Sequence, residues 1–214
     1  MFAWAPCANL IVGPSRAGKT SVLEAISFLA LTRSFSADSD AVVLSIGKDY
    51  FVVDGKFRTD SGVKSVVHVR YNGIKREKVL RVNGGRVDRL SSMIGKYPVV
   101  ILSPEQGGIT RGAPAERRRF VDLVICQASA GYCADLVEYR KVVKQRNRVL
   151  SNGLAGRSVS PEALESWNEQ LVKYGSRLVA RRLQFVGEFR NHIMETYGWL
   201  MGLDEEPALS YRAW

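Results

Sequence analysis

Residues Gly13 to Thr20 read G-P-S-R-A-G-K-T, a loop of the form G-x-x-x-x-G-K-[ST]. That spacing lets successive backbone N–H groups converge on nucleotide phosphates, sends the lysine to the outer phosphates and places a hydroxyl where Mg²⁺ is ligated. Gly13, Gly18 and the intervening backbone of Pro14, Ser15, Arg16 and Ala17 form the expected cradle. Lys19 is the candidate ligand of the β and γ phosphates, and Thr20 that of Mg²⁺.

A phosphate loop needs a strand before it and a helix after it. Asn9 to Val12 is a short apolar run able to be a buried strand, and Ser21 to Leu31 has helical spacing with Val22, Ala25, Ile26 and Leu29 on one face. The pattern then turns short and alternating. Val42 to Ile46, Tyr50 to Val53, Val63 to Tyr71 and Lys78 to Val82 read as antiparallel strands punctuated by Gly47, Gly55, Gly62, Asn72-Gly73 and Asn83-Gly84-Gly85. Tyr97 to Leu102 predicts a further strand buried on both faces.

Beyond Ser103 the pattern is helical: about Ala115 to Ser129, about Ala134 to Leu150, and a long helix from Pro161, capped by Ser160, to about Trp199. Ser151-Asn152-Gly153 and Gly156 separate the last two, which predicts an antiparallel arm. On the long helix Leu164, Trp167, Leu171, Tyr174 and Leu178 share a stripe, while Lys173, Arg177, Arg181, Arg182 and Arg190 decorate other faces. The expected organisation is an α/β nucleotide lobe (1–112), a helical arm lobe (113–202) and a return toward the sheet (203–214).

Thirty-one Lys and Arg against 21 Asp and Glu leave a net charge of +10, which favours a polyanionic partner: nucleic acid first, an acidic protein or lipid surface as the alternative. Arg117, Arg118 and Arg119 open a helix where cations oppose the dipole, so they do not serve helix stability. One or two of them are expected to meet the nucleotide lobe or DNA phosphates. Lys141, Lys144, Arg146 and Arg148, interleaved with Tyr139 and Gln145, form a DNA-facing candidate, and equally describe a solvated helix face. Cys7, Cys126 and Cys133 are too few and scattered for a disulfide framework, which points to a reducing cytoplasm. His68 and His192 lack metal-ligand spacing and read as structural, Phe120 and Val124 as core. No membrane-spanning run and no Ser/His/Asp or Cys/His grouping is seen.

Four ordered segments carry a resemblance: IVGPSRAGKTSVLEAISFLALTRSF with its Arg33-Ser34-Phe35 step; VVILSPEQGGITRGAPAERRRFVD (Val99 to Asp122); YRKVVKQRNRVL (Tyr139 to Leu150); and WNEQLVKYGSRLVARR (Trp167 to Arg182). Together they resemble the RecF family of bacterial DNA-repair ATPases, related to SMC and ABC-type heads. The resemblance implies an α/β P-loop ABC-type ATPase lobe with an inserted antiparallel sheet, followed by a helical arm lobe. It also implies ATP and Mg²⁺ as cofactors, an ATP-dependent homodimer, and binding of DNA at single-strand gaps and junctions. RecO, RecR and indirectly RecA are the implied partners, in DNA replication, repair and the SOS response. Gln106, after Glu105, falls where ABC-type ATPases place a glutamine loop that senses the metal; Gly107-Gly108 departs from the family's Asp-Leu and leaves a solvated turn as the other reading.

Two loop positions also depart from the family. Ser15 replaces Asn and keeps a short polar side chain, whereas Arg16 replaces Gly where glycine's backbone freedom is often used, at a cost on the order of 1 kcal/mol. Weakened ATP binding is expected. Neither an acidic strand end nor an L-S-G-G-Q-like loop is visible, and Leu200 to Glu205 only superficially fits the former. The chain is therefore expected to be incomplete at both ends, to bind nucleotide and not to hydrolyse it. A non-enzymatic DNA-binding or adaptor module with a vestigial loop is the second reading, and a small P-loop kinase the third.

Overall fold

The computed structural model describes residues 2–103, 112–154, 161–201 and 207–212. It divides into two compact units, Met1–Glu105 and Gln106–Trp214.

In the first unit, helix α1 (Lys19–Leu31) packs on an antiparallel sheet of β1 (Tyr50–Arg58), β2 (Lys64–Asn72), β3 (Glu77–Val82) and β4 (Gly85–Arg86), in the order β1-β2-β3-β4. Strand alternation sorts the sheet into two faces. Val67, Val69 and Leu80 point inward onto Phe28 and Leu29, with Met93, from a 3-10 turn at Leu90–Met93, closing the core. Pairing of Val53 with Val69 and of Val69 with Leu80 keeps those side chains in one layer. Gly55 lies mid-strand because a Cβ there would stand 2.3 Å from Leu29 Cδ1, so glycine lets helix and sheet close.

Several boundaries differ from expectation. Gly55 does not end β1, which continues to Arg58, and β3 ends at Val82 as expected but turns at Asn83-Gly84 into a short further strand, β4. Val42 to Ile46 is not a strand: Asp40–Val43 is a 3-10 turn, and Val42 and Ile46 face solvent. Asn9 to Val12 and Tyr97 to Leu102 form no strand either, and Leu10, Val12, Val100 and Leu102 are exposed. Such strands draw their hydrogen bonds from neighbours on both sides, and no strand among the described residues adjoins either segment. Tyr97 is held instead by stacking on Phe57 at 3.9 Å and by a hydroxyl bond to Ser65 at 2.7 Å.

The second unit holds α2 (Pro114–Ala128), α3 (Ala130–Leu154) and α4 (Pro161–Met201). Proline at the first position and the Glu116 carboxylate accepting the Ala113 N–H at 3.2 Å start α2. Helix α3 runs further than expected at both ends, so Ser151-Asn152-Gly153 is helical; the Ser160 cap lies outside the described residues. Helices α3 and α4 are antiparallel: Arg177 bonds Asp135 at 3.5 Å, the Tyr139 ring packs against Gly175, and Arg146 Nε donates to Asn168 Oδ1 at 2.8 Å. Leu178 is buried and the rest of its stripe half-buried. Phe120, half-buried, meets Phe189, which stacks on Phe185. None of the described helices is long and apolar enough to cross a membrane.

Candidate functional site

The phosphate loop closes on its own lysine. Lys19 Nζ donates to the carbonyls of Gly13 at 2.9 Å and Pro14 at 2.7 Å, which draws the start of the loop over the start of α1. An ammonium has three donors, so one stays available for a phosphate. Within the loop the Ala17 N–H bonds Pro14 and the Val22 N–H bonds Gly18. The N–H groups of Lys19, Thr20 and Ser21 meet no described acceptor, as the first turn of a helix dictates. No acidic residue stands in that turn, so helix dipole, free donors and lysine all favour an anion.

Gly18 has φ +85 and Arg16 φ +64, both left-handed. Glycine adopts this freely; arginine does so against its Cβ. Ser15, Arg16 and Thr20 are exposed, the last leaving its hydroxyl accessible.

The far end of α1 is fastened by residues that sequence reasoning did not single out. Buried Glu24 accepts the N–H groups of Phe35 and Ser36 and the Ser36 hydroxyl, while Ser27 Oγ donates to the Arg33 carbonyl at 2.7 Å. The Arg33-Ser34-Phe35 step is therefore pinned to the loop's helix. Lys78 reaches the Thr32 carbonyl at 2.6 Å and Asp40 at 2.5 Å and lies over the Phe28 ring, joining β3 to the helix end. A lone acid inside the apolar run of α1 was the one available signal for Glu24.

The arginine and lysine candidates separate in space. Arg117, Arg118 and Arg119 are all exposed, with Arg117 capping the Gly112 carbonyl at 2.8 Å. Lys141, Lys144 and Arg148 share an exposed stripe of α3, Lys141 paired with Glu138, whereas Arg146 turns to α4. Arg182, expected off the apolar stripe, is half-buried against the buried Asp122, whose Oδ1 accepts from Arg182 Nε at 2.9 Å and Nη2 at 2.7 Å and from Tyr132 Oη at 2.5 Å. Burial, then the Asp122 bond, push the Tyr132 phenol well above its usual range. Burial alone would lower Arg182, but the Tyr211 hydroxyl and Asp122 outweigh it and raise it. Cys126, buried beside Cys133, has its thiol raised by burial first and by that neighbour second. His68 bonds Asp54 at 2.7 Å on the open sheet face, and His192 is exposed. Glu105 and Gln106 lie outside the described residues, as does most of Leu200 to Glu205.

A family model described as AAA domain matches residues 6–192. The chain is 39% identical over 98% of its length to the DNA replication and repair protein RecF of Salinibacter ruber, and 39% identical over 96% to that of Chlorobium limicola, covering 51% and 56% of those proteins. It spans about half the length of the curated relatives it matches. Two solved structures superpose on it. One, described as the recombination mediator protein RecF with ATP in the RecFOR pathway, has a TM-score of 0.82 and 26% identity over 88% of this chain and 50% of that one. The other, with ATPrS, has a TM-score of 0.79 and 27% identity over 86% and 49%. An AAA domain built as a P-loop lobe with an antiparallel sheet and a helical arm, this chain belongs to the RecF family.

Proposed function

We propose that the chain is a RecF-like DNA replication and repair protein that binds ATP at Gly13 to Thr20 and engages DNA at single-strand gaps and junctions to help load a recombinase. The observation that carries this reading is the phosphate loop itself: Lys19 bridges its first carbonyls, and unpartnered N–H groups open α1. The relatives add the name, and one neighbour adds ATP. Lys19 would meet the β and γ phosphates, and the Thr20 hydroxyl would help hold Mg²⁺, which would neutralise phosphate charge. Gln106 would report on that metal. Met1–Glu105 would then act as the nucleotide lobe and Gln106–Trp214 as the arm. Arg117, Arg118, Arg119, Lys141, Lys144 and Arg148 are the arm's candidates for DNA phosphates, with Arg146 placed to brace α3 on α4. RecO, RecR and indirectly RecA are the proposed partners, an ATP-dependent homodimer the proposed assembly, and the cytoplasm the proposed location.

No group of three or more metal-ligating side chains occurs among the described residues, and the segment at 99–103 carries no acid. The chain on its own is therefore expected to bind ATP without turning it over. Titration with a fluorescent ATP analogue should show saturable binding that Lys19→Ala abolishes, with no phosphate released. Hydrolysis by the 214-residue chain, lost in Lys19→Ala, would overturn the second half of that statement, and equal binding by both proteins the first. Arg16 at φ +64 is the one observation favouring a vestigial loop; that rival predicts DNA binding indifferent to ATP.

A further inference from the structure

One face of the sheet is covered by α1; the other is open, and its side chains are those of alternate residues. Pairing of Arg58 with Lys64, Lys56 with Val66, His68 with Arg81 and Arg81 with Arg86 gathers cations from all four strands onto that face. Arg70, between Val52 and Val79 in the ladder, completes the set. Against these six cations stand only Asp54, bonded to His68, and Glu77, which lies 3.6 Å from Arg86. Lys56, Arg58, Lys64, Arg70 and Arg81 have no acidic partner among the described residues.

The centre is a shallow depression of about 490 Å³ with Val66 and Val79 as floor and His68, Arg70, Arg81 and Gly84 around it. At one edge Arg70 lies over the exposed Tyr50 ring at 5.0 Å. Same-face residues recur about every 6.7 Å along a strand, and strands lie about 4.8 Å apart. The cations are therefore anchored as a grid on the sheet backbone.

We infer that this open sheet face is a nucleic-acid backbone site, distinct from the arm stripe and resting on the DNA-binding reading above. The occupant follows from the placement of charge. Protein–protein interfaces are depleted of charged residues other than Arg at their core, whereas this face sets six cations, Lys56 and Lys64 among them, against two acids. A lipid surface takes large protruding apolar groups such as Trp, Phe and Leu, and here the apolar side chains between the cations are the short Val52, Val66 and Val79. Guanidinium forks match phosphate oxygens, and the Tyr50 ring with Arg70 offers a platform for a base of an unpaired strand.

The test is anisotropy of labelled single-stranded and duplex DNA with the full chain, titrated between about 50 and 200 mM salt. The fourfold variant R58Q/K64Q/R70Q/R81Q should lose roughly tenfold or more in affinity, and the slope of log K against log salt should fall by about 0.9 per phosphate contact removed on duplex and about 0.7 on single strands. ATP binding should stay unchanged. Should that variant unfold, Arg58→Gln with Lys64→Gln at the sheet end should lower the slope by about half as much. Unchanged slope in folded variants, with loss instead in K141Q/K144Q/R148Q, would overturn the sheet assignment and leave the functional reading standing. Absence of salt-dependent DNA binding by the unmodified chain would overturn both. Equal, sheet-dependent binding of polyglutamate would replace nucleic acid by an acidic protein.

Discussion

Asp122→Ala should be the most damaging single change in the helical unit, and more damaging than Arg182→Ala. Asp122 is 5% exposed and accepts from Tyr132 and twice from Arg182. Without it the buried guanidinium keeps only the Tyr132 and Tyr211 hydroxyls, at 3.0 and 3.3 Å, with no anion. Stranding one partner of a buried pair costs about 3–5 kcal/mol. In a unit of this size each kcal/mol moves Tm by roughly 4–8 °C, so a fall of more than about 10 °C is expected. Removing Arg182 instead leaves Asp122 with the Tyr132 bond and with Arg140 at 3.6 Å, a smaller loss. Asp122→Leu with Arg182→Met, an apolar replacement of the pair, should cost less than Asp122→Ala alone. Thermal unfolding followed by helical circular dichroism compares the four proteins. A double variant at least as destabilised as Asp122→Ala, or Arg182→Ala worse than Asp122→Ala, would refute this reasoning.

Gly55→Ala should destabilise the first unit by about 1–3 kcal/mol through overpacking against Leu29, read as a lower denaturant midpoint and relieved when Leu29 is shortened to Val. Lys78→Met should loosen the end of α1, exposing the Thr32 carbonyl and Asp40, and hydrogen exchange at residues 32–37 should quicken while β2 stays protected. Alkaline pH should destabilise the helical unit. The Tyr132 phenol and Cys126 thiol hold protons more tightly folded than unfolded, where they titrate near 10.0 and 9.0. Their contribution is thus complete below pH 9 and lost as pH rises, at up to about 1.4 kcal/mol per pH unit for each group; a melting temperature unchanged between pH 8 and 10.5, or one unaffected by Tyr132→Phe, would contradict this. Arg16→Gly should tighten ATP binding by up to roughly fivefold, equivalent to about 1 kcal/mol, and an unchanged affinity would remove the strain argument.

What could be seen in the sequence was what local pattern controls. The phosphate loop, the three helices and the alternating strands β2 and β3 announce themselves through glycine spacing and periodicity. Residues 9–12 and 97–102 did not, because an apolar run says only that burial would be favourable, and a ladder needs a neighbour that composition cannot supply. Gly55 misled for a related reason: glycine as turn and glycine as close approach look alike until Leu29 is placed beside it. Arg182 was one of several arginines on a helix, and only Asp122, sixty residues away in the chain, makes it interior. Local reading reached the residues of the loop; the long-range fastening through Lys78 and Asp122 was invisible to it, and Glu24 showed only as a lone acid in an apolar run.

The position of that last node along α4 has a mechanical consequence. Arg182 stands about 32 Å along the helix from Pro161 at a rise of 1.5 Å per residue. A tilt of about 5° about this point would sweep the Pro161 end of α4 through roughly 3 Å, so a change at the Asp122–Tyr132–Arg182 knot would be felt there as a displacement the width of a side chain.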